Sequence, residues 1–134
     1  MANKYVVDTH ALIWFLEGSP KLGNAAQSVL CDPNSELVLP TIALAEAIDM
    51  VAKGRTKLPD VASLINDVLA DQRIELFPLT LAILQQSLLG TTVPEMHDRL
   101  IVATAVWLKQ PGHQVAILTK DQSITDAALT SIVW

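Results

Sequence analysis

The sequence predicts a single α/β domain with a mainly parallel sheet covered by helices on both faces. Short β-prone runs alternate with longer segments whose apolar residues recur at helical spacing, an order typical of layered parallel folds. The 134 residues are 51% apolar, which is enough to build one core. No internal repeat, low-complexity segment or long linker divides residues 1–134, so we expect one domain.

The first half of the chain contains six predicted elements. In order, they are a strand over 4–7, helices over 9–16 and 21–31, a strand over 36–39, and helices over 42–53 and 58–70. Gly54 closes the helix that precedes it, and Pro59 is expected in the first turn of the next one. Each strand is thus followed by helical sequence, as parallel pairing requires.

The second half continues this alternation. In order, it contains a β-prone run over 73–79, a helix over 80–89, a helix that carries Asp98, a strand over 115–119, a helix over 124–129 and an edge strand over 131–134. Gly90 is expected to stop the first helix, and Thr92 with Glu95 fits a capping box that begins the second. The chain therefore supplies four or five strands for one sheet.

Asp98 is predicted to lie on the apolar face of its helix. At helical spacing it lines up with Ile101, Val102 and Ala105. An unpaired carboxylate in such a setting costs several kcal/mol unless a cation, hydrogen-bond donors or water meet it. A simpler interpretation is a first-turn acid favoured by the helix dipole, or a partner for Arg99. The apolar alignment favours a metal-binding role.

Two further acids, Asp8 and Asp121, each follow a predicted strand and precede a helix. Aspartate is a favoured N-cap, so both could be caps only. However, ligands of open α/β sheets bind beyond the carboxyl ends of the strands, where the strand order switches. Both acids could therefore face one crevice, and with Asp98 they would form an oxygen-rich site suited to Mg²⁺.

Glu46 is the fourth candidate acid. The predicted core stripe of its helix places Glu46 on the opposite side, with Ile42 and Met50, so taken alone it is best interpreted as a solvated charge. Asp49, three residues later, competes for the same role. The two apolar neighbours are consistent with a contact to another subunit or to a partner protein.

Several other chemistries lack their motifs. The three histidines have no HxxxH or HxH spacing and Cys31 is the only cysteine, so no zinc cluster is expected. There is no GxxxxGK[ST], GxGxxG or GxSxG motif. A phosphatase of the haloacid dehalogenase type would need DxD after the first strand, where this chain has Asp8-Thr9-His10.

Charge and hydropathy limit partners and location. The net charge of −5 argues against a protein that coats nucleic acid through bulk electrostatics, although it does not exclude a nuclease. No apolar run approaches the ~20 residues of a membrane span, and no secretory leader is apparent. The unpaired Cys31 is compatible with a reducing cytoplasm, where we expect the protein to act.

Candidate phosphate contacts come from scattered cations, each of which could equally be a solvated surface charge: Lys53, Arg55, Lys57, Arg99 and Lys120. Trp14 and Trp107 lie in apolar helical stretches. We interpret them as core or interface residues and not as base-stacking platforms.

Four segments together resemble the PIN domain, and most closely the VapC-type toxins of bacterial toxin–antitoxin pairs. They are residues 6–12 (VVDTHAL), 44–46 (LAE), 94–105 (PEMHDRLIVATA) and 117–121 (ILTKD), in the order and at the spacing of that family. The resemblance covers essentially the whole chain. It implies a three-layer α/β/α domain with a central parallel sheet.

The resemblance also implies a divalent-metal ribonuclease. Asp8, Glu46 and Asp98 match the metal-site acids, Asp121 matches a fourth acid, and Thr9 and Thr119 match neighbouring hydroxyl residues. The implied cofactor is Mg²⁺ or Mn²⁺. The implied partners are an RNA substrate, an antitoxin encoded nearby whose tail reaches into the acidic groove, and a second copy of the chain.

Two other classes of function remain open from the sequence. One is a binding or regulatory module of the same fold with weak or no nuclease activity. The other is a nuclease or phosphatase that acts on DNA or on phosphate esters.

Overall fold

The computed structural model describes residues 3–89 and 92–134. Within them, five strands and seven helices alternate along the chain. In order, these are β1 (Lys4–Val7), α1 (Thr9–Glu17), α2 (Asn24–Cys31), β2 (Leu37–Pro40), α3 (Thr41–Ala52), α4 (Val61–Ala70), β3 (Ile74–Phe77), α5 (Leu81–Ser87), α6 (Met96–Lys109), β4 (Val115–Leu118), α7 (Gln122–Ala127) and β5 (Ser131–Val133).

All five strands are parallel and form one sheet in the order β3-β2-β1-β4-β5. Strand β1 lies at the centre, and its Val7 is in register with Leu118 of β4. Every residue of β2 and β4 is buried, and because neighbouring side chains point to opposite faces, both faces must be covered. The predicted three-layer α/β/α fold with a parallel sheet is confirmed.

The core fills the space between the central strands and the helices that pack on them. Val6, Leu39 and Ile117 have no solvent exposure, and Ile101 of α6 is equally buried. Helix α6 packs on β1 and β4, while α3 packs on β2, α1 and α6. These contacts bring α1, α3 and α6 together beside the central strands, and three of the candidate acids lie on or next to these helices.

Two predicted helix starts are wrong, and capping explains both. Helix α4 begins at Val61 because Asp60 is the N-cap and accepts a 2.7 Å hydrogen bond from the Ser63 amide, which leaves Pro59 outside the helix. Helix α6 begins at Met96 because Glu95 itself is the N-cap. The predicted capping box, with Thr92 as the cap, is therefore incorrect.

Smaller shifts affect two other helices. Helix α2 starts three residues later than predicted because residues 19–22 form a turn, in which the Leu22 amide donates a hydrogen bond to the Ser19 carbonyl. Helix α7 starts two residues earlier than predicted because Asp121 is its N-cap and accepts from the Ile124 amide. The predicted stop at Gly90 lies outside the described residues. No helix in the described part of the chain combines the length and hydrophobicity needed to cross a bilayer.

Candidate metal centre

A pocket opens at the carboxyl ends of β1 and β4. The chain moves from β1 to β2 and β3 on one side and places β4 and β5 on the other, so the strand order switches between β1 and β4. Parallel α/β sheets bind ligands at this location. The cavity measures about 480 Å³ and is lined by Asp8, Thr9, His10, Trp14, Glu46, Glu95, Asp98, Lys120 and Asp121.

Asp8 is the most deeply placed acid of the pocket. It follows β1 directly, and only 6% of the residue is exposed. Its Oδ1 accepts a 2.7 Å hydrogen bond from the Thr9 amide, and its Oδ2 accepts a 2.5 Å hydrogen bond from Thr119 Oγ1. Burial raises the pKa of the Asp8 carboxyl, although these two bonds oppose the shift. Asp8 is thus both the N-cap of α1 and a pocket acid.

Glu46 faces the pocket, so its predicted place on the outer side of its helix is wrong. The neighbouring Ala43 and Ala47 are fully buried, so this side of α3 faces the interior of the domain. Glu46 Oε1 accepts a 3.0 Å hydrogen bond from Thr9 Oγ1. Burial is also the main reason that the pKa of Glu46 is raised. By contrast, Asp49 is exposed and bonds to Lys53 Nζ at 2.8 Å.

Asp98 occupies the first turn of α6. Ile101, Val102 and Ala105, with which it was predicted to align, are buried, while Asp98 itself is half-buried at the pocket wall. Burial raises the pKa of Asp98 to about 7, and the charges of Asp121 and Asp8 add to the shift.

Asp121 completes the set of predicted acids. Burial tends to raise its pKa, but hydrogen bonds from Ser123 and from the Ile124 amide outweigh burial and lower the pKa overall. A hydrogen bond with Asp98 contributes in the same direction. The pKa values of Asp98 and Asp121 are therefore shifted in opposite directions.

Sequence reasoning missed Glu95 as a pocket residue. Its Oε2 accepts a 2.9 Å hydrogen bond from the Asp98 amide, and its Oε1 lies 2.7 Å from His97 Nδ1. His97 Nδ1 also lies 3.9 Å from Glu46 Oε2. The hydrogen bond with Glu95 is the main reason that the pKa of His97 is raised. The only signal in the sequence was the position of Glu95 immediately before the helix.

The candidate phosphate-binding cations separate into groups. Lys120 lines the pocket. Arg99 donates instead to the carbonyls of Val93 and Pro94, at 3.1 and 2.8 Å, and is absent from the pocket lining. Arg55 lines a different pocket, which also includes Glu46, and Lys53 is paired with Asp49. Lys57 is exposed.

Of the two tryptophans assigned to core or interface, Trp107 is half-buried on α6 and is not a pocket residue. Trp14 packs against the core but also forms part of the pocket wall. This second contact was not predicted. It brings an aromatic ring to the rim of a largely acidic site.

The donor set suits a hard divalent cation. Carboxylate oxygens and threonine hydroxyls dominate the site, as Mg²⁺ and Mn²⁺ prefer. Among residues 3–89 and 92–134, however, no three His, Cys, Asp or Glu side chains are already arranged to hold one ion. The Asp8, Glu46 and Asp121 oxygens already accept hydrogen bonds, and the acids repel one another, so small side-chain rotations would accompany binding.

Comparison with known proteins agrees with this architecture. A family model described as PIN domain matches residues 5–129. VapBC2 from Rickettsia felis, solved with a DNA fragment from its promoter, gives a TM-score of 0.70 at 16% identity and covers 96% of each chain.

FitAcB from Neisseria gonorrhoeae gives a TM-score of 0.66 at 15% identity, with 96% of this chain and 95% of that one covered. A toxin–antitoxin complex from Klebsiella pneumoniae gives 0.65 at 16% identity, with 97% and 96% covered. At such identities these likenesses establish a shared fold. No curated protein matches the chain by sequence.

Proposed function

Because the chain belongs to the PIN domain family, we propose that it is a divalent-metal-dependent endoribonuclease. In this proposal it hydrolyses RNA phosphodiester bonds in the cytoplasm and is the toxin of a type II toxin–antitoxin pair.

The observation that carries the proposal is the convergence of four acids from distant parts of the sequence. Asp8 follows β1, Glu46 lies on α3, Asp98 on α6 and Asp121 after β4, yet all four line one pocket. Burial of Asp8, Glu46 and Asp98 works against their charged forms. Such an arrangement is costly for folding alone, which supports a role in binding a cation.

Each acid would contribute differently to the centre. Asp8 and Asp98 would be the principal metal ligands, because both line the pocket, one from the end of β1 and the other from the first turn of α6. Glu46 would complete the ligand set from α3, and Asp121 would bind from the start of α7. When bound, Mg²⁺ or Mn²⁺ supplies a water of lowered pKa and neutralises charge on the scissile phosphate.

The threonines would position these acids. Thr119 Oγ1 donates to Asp8 and accepts a 3.0 Å hydrogen bond from the Asp121 amide, so one hydroxyl links two of the ligands. Thr9 Oγ1 donates to Glu46, and the Thr9 amide donates to Asp8. Such bonds fix the direction in which each carboxylate presents its free electron pairs.

The proposed biological setting rests on the similar structures. One of them is described as a toxin–antitoxin complex, which supports a protein antitoxin encoded near this chain. An antitoxin tail that places a cationic side chain among the pocket acids would block access of metal and RNA. Growth arrest on induction, relieved by co-expression of the neighbouring gene, is the expected cellular result.

We also propose a homodimer. An apolar stripe is formed by Leu81 and Leu84 of α5 and by Leu88, its C-cap residue. They follow one another at spacings of three and four residues, so they lie on one side of the helix. Their exposed fractions are 70%, 42% and 72%. An exposed apolar stripe of this kind supports association with a second copy.

The central test is cleavage of RNA by the wild-type protein and by Asp8→Asn and Asp98→Asn variants. We expect metal-dependent cleavage by the wild type, loss in EDTA, and a decrease of at least about 100-fold in each variant, because a ligand is lost in both. Asp67→Asn is the matched control, since Asp67 is exposed on α4 and does not line the pocket.

The outcomes separate the remaining functions. Full cleavage by either ligand variant would refute the assignment of the site. Preference for DNA or for a small phosphate ester over RNA would favour a nuclease or phosphatase that acts on those substrates. Absence of cleavage by a folded wild type that still binds a partner would favour a binding module.

A further inference from the structure

Two lysines from different segments lie over the same aromatic ring at the rim of the pocket. Lys120 Nζ is 5.7 Å and Lys21 Nζ is 5.9 Å from the ring centroid of Trp14. Lys21 lies between α1 and α2, and Lys120 lies between β4 and α7. We call Trp14, Lys21 and Lys120 the lysine–tryptophan cluster.

The two ammonium groups are held by the ring and not by an acid. Both lysines are exposed, and neither forms an ion pair within 4.0 Å in the part of the chain that the structure describes. Lys4 and Lys53, by contrast, each have an acidic partner. A cation over a tryptophan face keeps its charge and its N–H donors, so both lysines remain able to bind an anion.

The Trp14 ring is itself fixed from several sides. Trp14 packs against the core, and the ring of Trp134 meets it edge-on with centroids 5.7 Å apart. The His10 ring lies 5.2 Å away on the pocket side. A ring supported in this way gives the lysine ammonium groups a defined location at the pocket rim.

Charge then distinguishes the rim from the floor. The floor presents Asp8, Glu46, Glu95, Asp98 and Asp121, which repel any anion unless a cation is bound among them. The rim beside Trp14 presents two positive groups. A polyanionic strand that reaches a metal-filled floor would therefore find its next attractive contact at this rim.

We propose that Lys21 and Lys120 bind the backbone phosphate next to the one that is cut in a single-stranded RNA, and that Trp14 positions them. This inference rests on the proposed ribonuclease function and adds a second contact to it. The cluster would set how the strand lies across the acids, because it fixes a neighbouring phosphate on the β4 side of the pocket.

The experiment measures binding of a short fluorescein-labelled single-stranded RNA by anisotropy at several salt concentrations. The background is protein with all the pocket acids intact, with Ca²⁺ in place of Mg²⁺ to slow cleavage. We expect Lys21→Ala and Lys120→Ala each to weaken binding about five- to tenfold, and to reduce the steepness of the salt dependence by about 0.7 per lysine.

Lys109→Ala is the matched control, since it removes the same charge at the end of α6, beside a different cavity. Trp14→Phe should bind RNA within about twofold of the background, whereas Trp14→Leu should weaken binding as the lysine variants do. Melting temperatures report whether each variant is folded. If Trp14→Leu does not fold, the two lysine variants alone test whether the cluster binds RNA.

Two results are diagnostic. If Lys21→Ala and Lys120→Ala bind RNA with the affinity and salt dependence of Lys109→Ala, the inference is overturned even where wild-type cleavage is intact. If the wild type cuts no RNA but these variants still lose affinity and salt dependence, the proposed nuclease fails and the strand-binding role of the cluster stands.

Discussion

Thr119 Oγ1 donates a 2.5 Å hydrogen bond to Asp8 Oδ2, joining residues 111 positions apart in the sequence. The bond is possible because β1 and β4 are neighbouring parallel strands that end at the same edge of the sheet. Asp8 is nearly inaccessible to water, so this donor replaces the hydration that its carboxylate loses. The same hydroxyl accepts from the Asp121 amide, which makes Thr119 the central support of the site.

Replacing Thr119 with valine should therefore weaken metal binding. Valine keeps the shape but leaves a buried Asp8 oxygen without its donor, so we expect Mn²⁺ affinity to fall about 10- to 100-fold. Thr119→Ser should retain most of the affinity because it keeps the hydroxyl. Isothermal titration with Mn²⁺ measures the effect, and equal affinity in the valine and serine variants would contradict it.

Glu46→Gln and Asp49→Asn should differ, although both remove one negative charge from α3. Glu46 lines the pocket, whereas Asp49 is exposed and paired with Lys53. We expect the Glu46 variant to lose about tenfold or more in Mn²⁺ affinity and the Asp49 variant to change little, because exposed pairs contribute about 1 kcal/mol or less. Reversal of that order in the same titration would assign the ligand to Asp49.

The Asp71 and Arg73 pair should stabilise the fold above about pH 4. Asp71 Oδ2 and Arg73 Nη2 are 2.8 Å apart, and the side chain of each is about one-fifth exposed. The hydrogen bond from Arg73 is the main reason that the pKa of Asp71 is lowered in the folded state. Because the pKa of Asp71 is lower in the folded state than in the unfolded chain, the pair contributes its full stabilisation above the unfolded pKa of about 3.9. This stabilisation is lost as the pH falls through the pKa of the folded state.

Urea unfolding of the wild type and Asp71→Asn at a series of pH values tests this linkage. We expect the variant to be about 1 kcal/mol less stable at pH 7 and the difference to shrink steadily below pH 4. A difference that stays constant down to pH 2 would show that the charge of Asp71 is not responsible.

Gly23→Ala should destabilise the protein through Trp134. A Cβ atom at residue 23 would lie 2.5 Å from the carbonyl carbon of Trp134 and 2.7 Å from its Cδ1, closer than real contacts allow. We expect a loss of about 1 to 3 kcal/mol in the free energy of unfolding, as overpacking typically costs. In a chain that ends at Val133 the same substitution should cost much less. Equal costs in the two backgrounds would exclude the contact as the cause.

Leu81→Glu combined with Leu88→Glu should convert a dimer to a monomer. These side chains are about 70% exposed, and a charge at each would have to be desolvated in an interface. Light scattering after size exclusion measures the mass. Leu69→Glu is the control, since Leu69 is 66% exposed on α4. An unchanged mass in the double variant would place any dimer contact elsewhere.

Much of the fold could be predicted because it depends on local patterns. The apolar runs at β1, β2 and β4 and the helical spacing of Ile101, Val102 and Ala105 directly reflect which side of each element is buried. Helix starts were less predictable. Whether Thr92 or Glu95 caps α6 depends on which side chain can reach an amide, and both fit the same sequence signal.

The pattern of apolar and polar residues was enough to predict the alternation of strands and helices, and it placed Asp8, Asp98 and Asp121 at the ends of elements, where acids can meet. The packing of separate elements was needed to show that Glu46 faces the pocket, where helical spacing and the family resemblance had given different answers. It was also needed to show that Glu95 joins the pocket, that Arg99 bonds to backbone carbonyls, and that two lysines share the ring of Trp14. The spacing of apolar residues indicates which side of one helix or strand is buried. The contacts of Glu46, Glu95, Arg99 and the two lysines depend instead on distances that are set by the packing of separate elements.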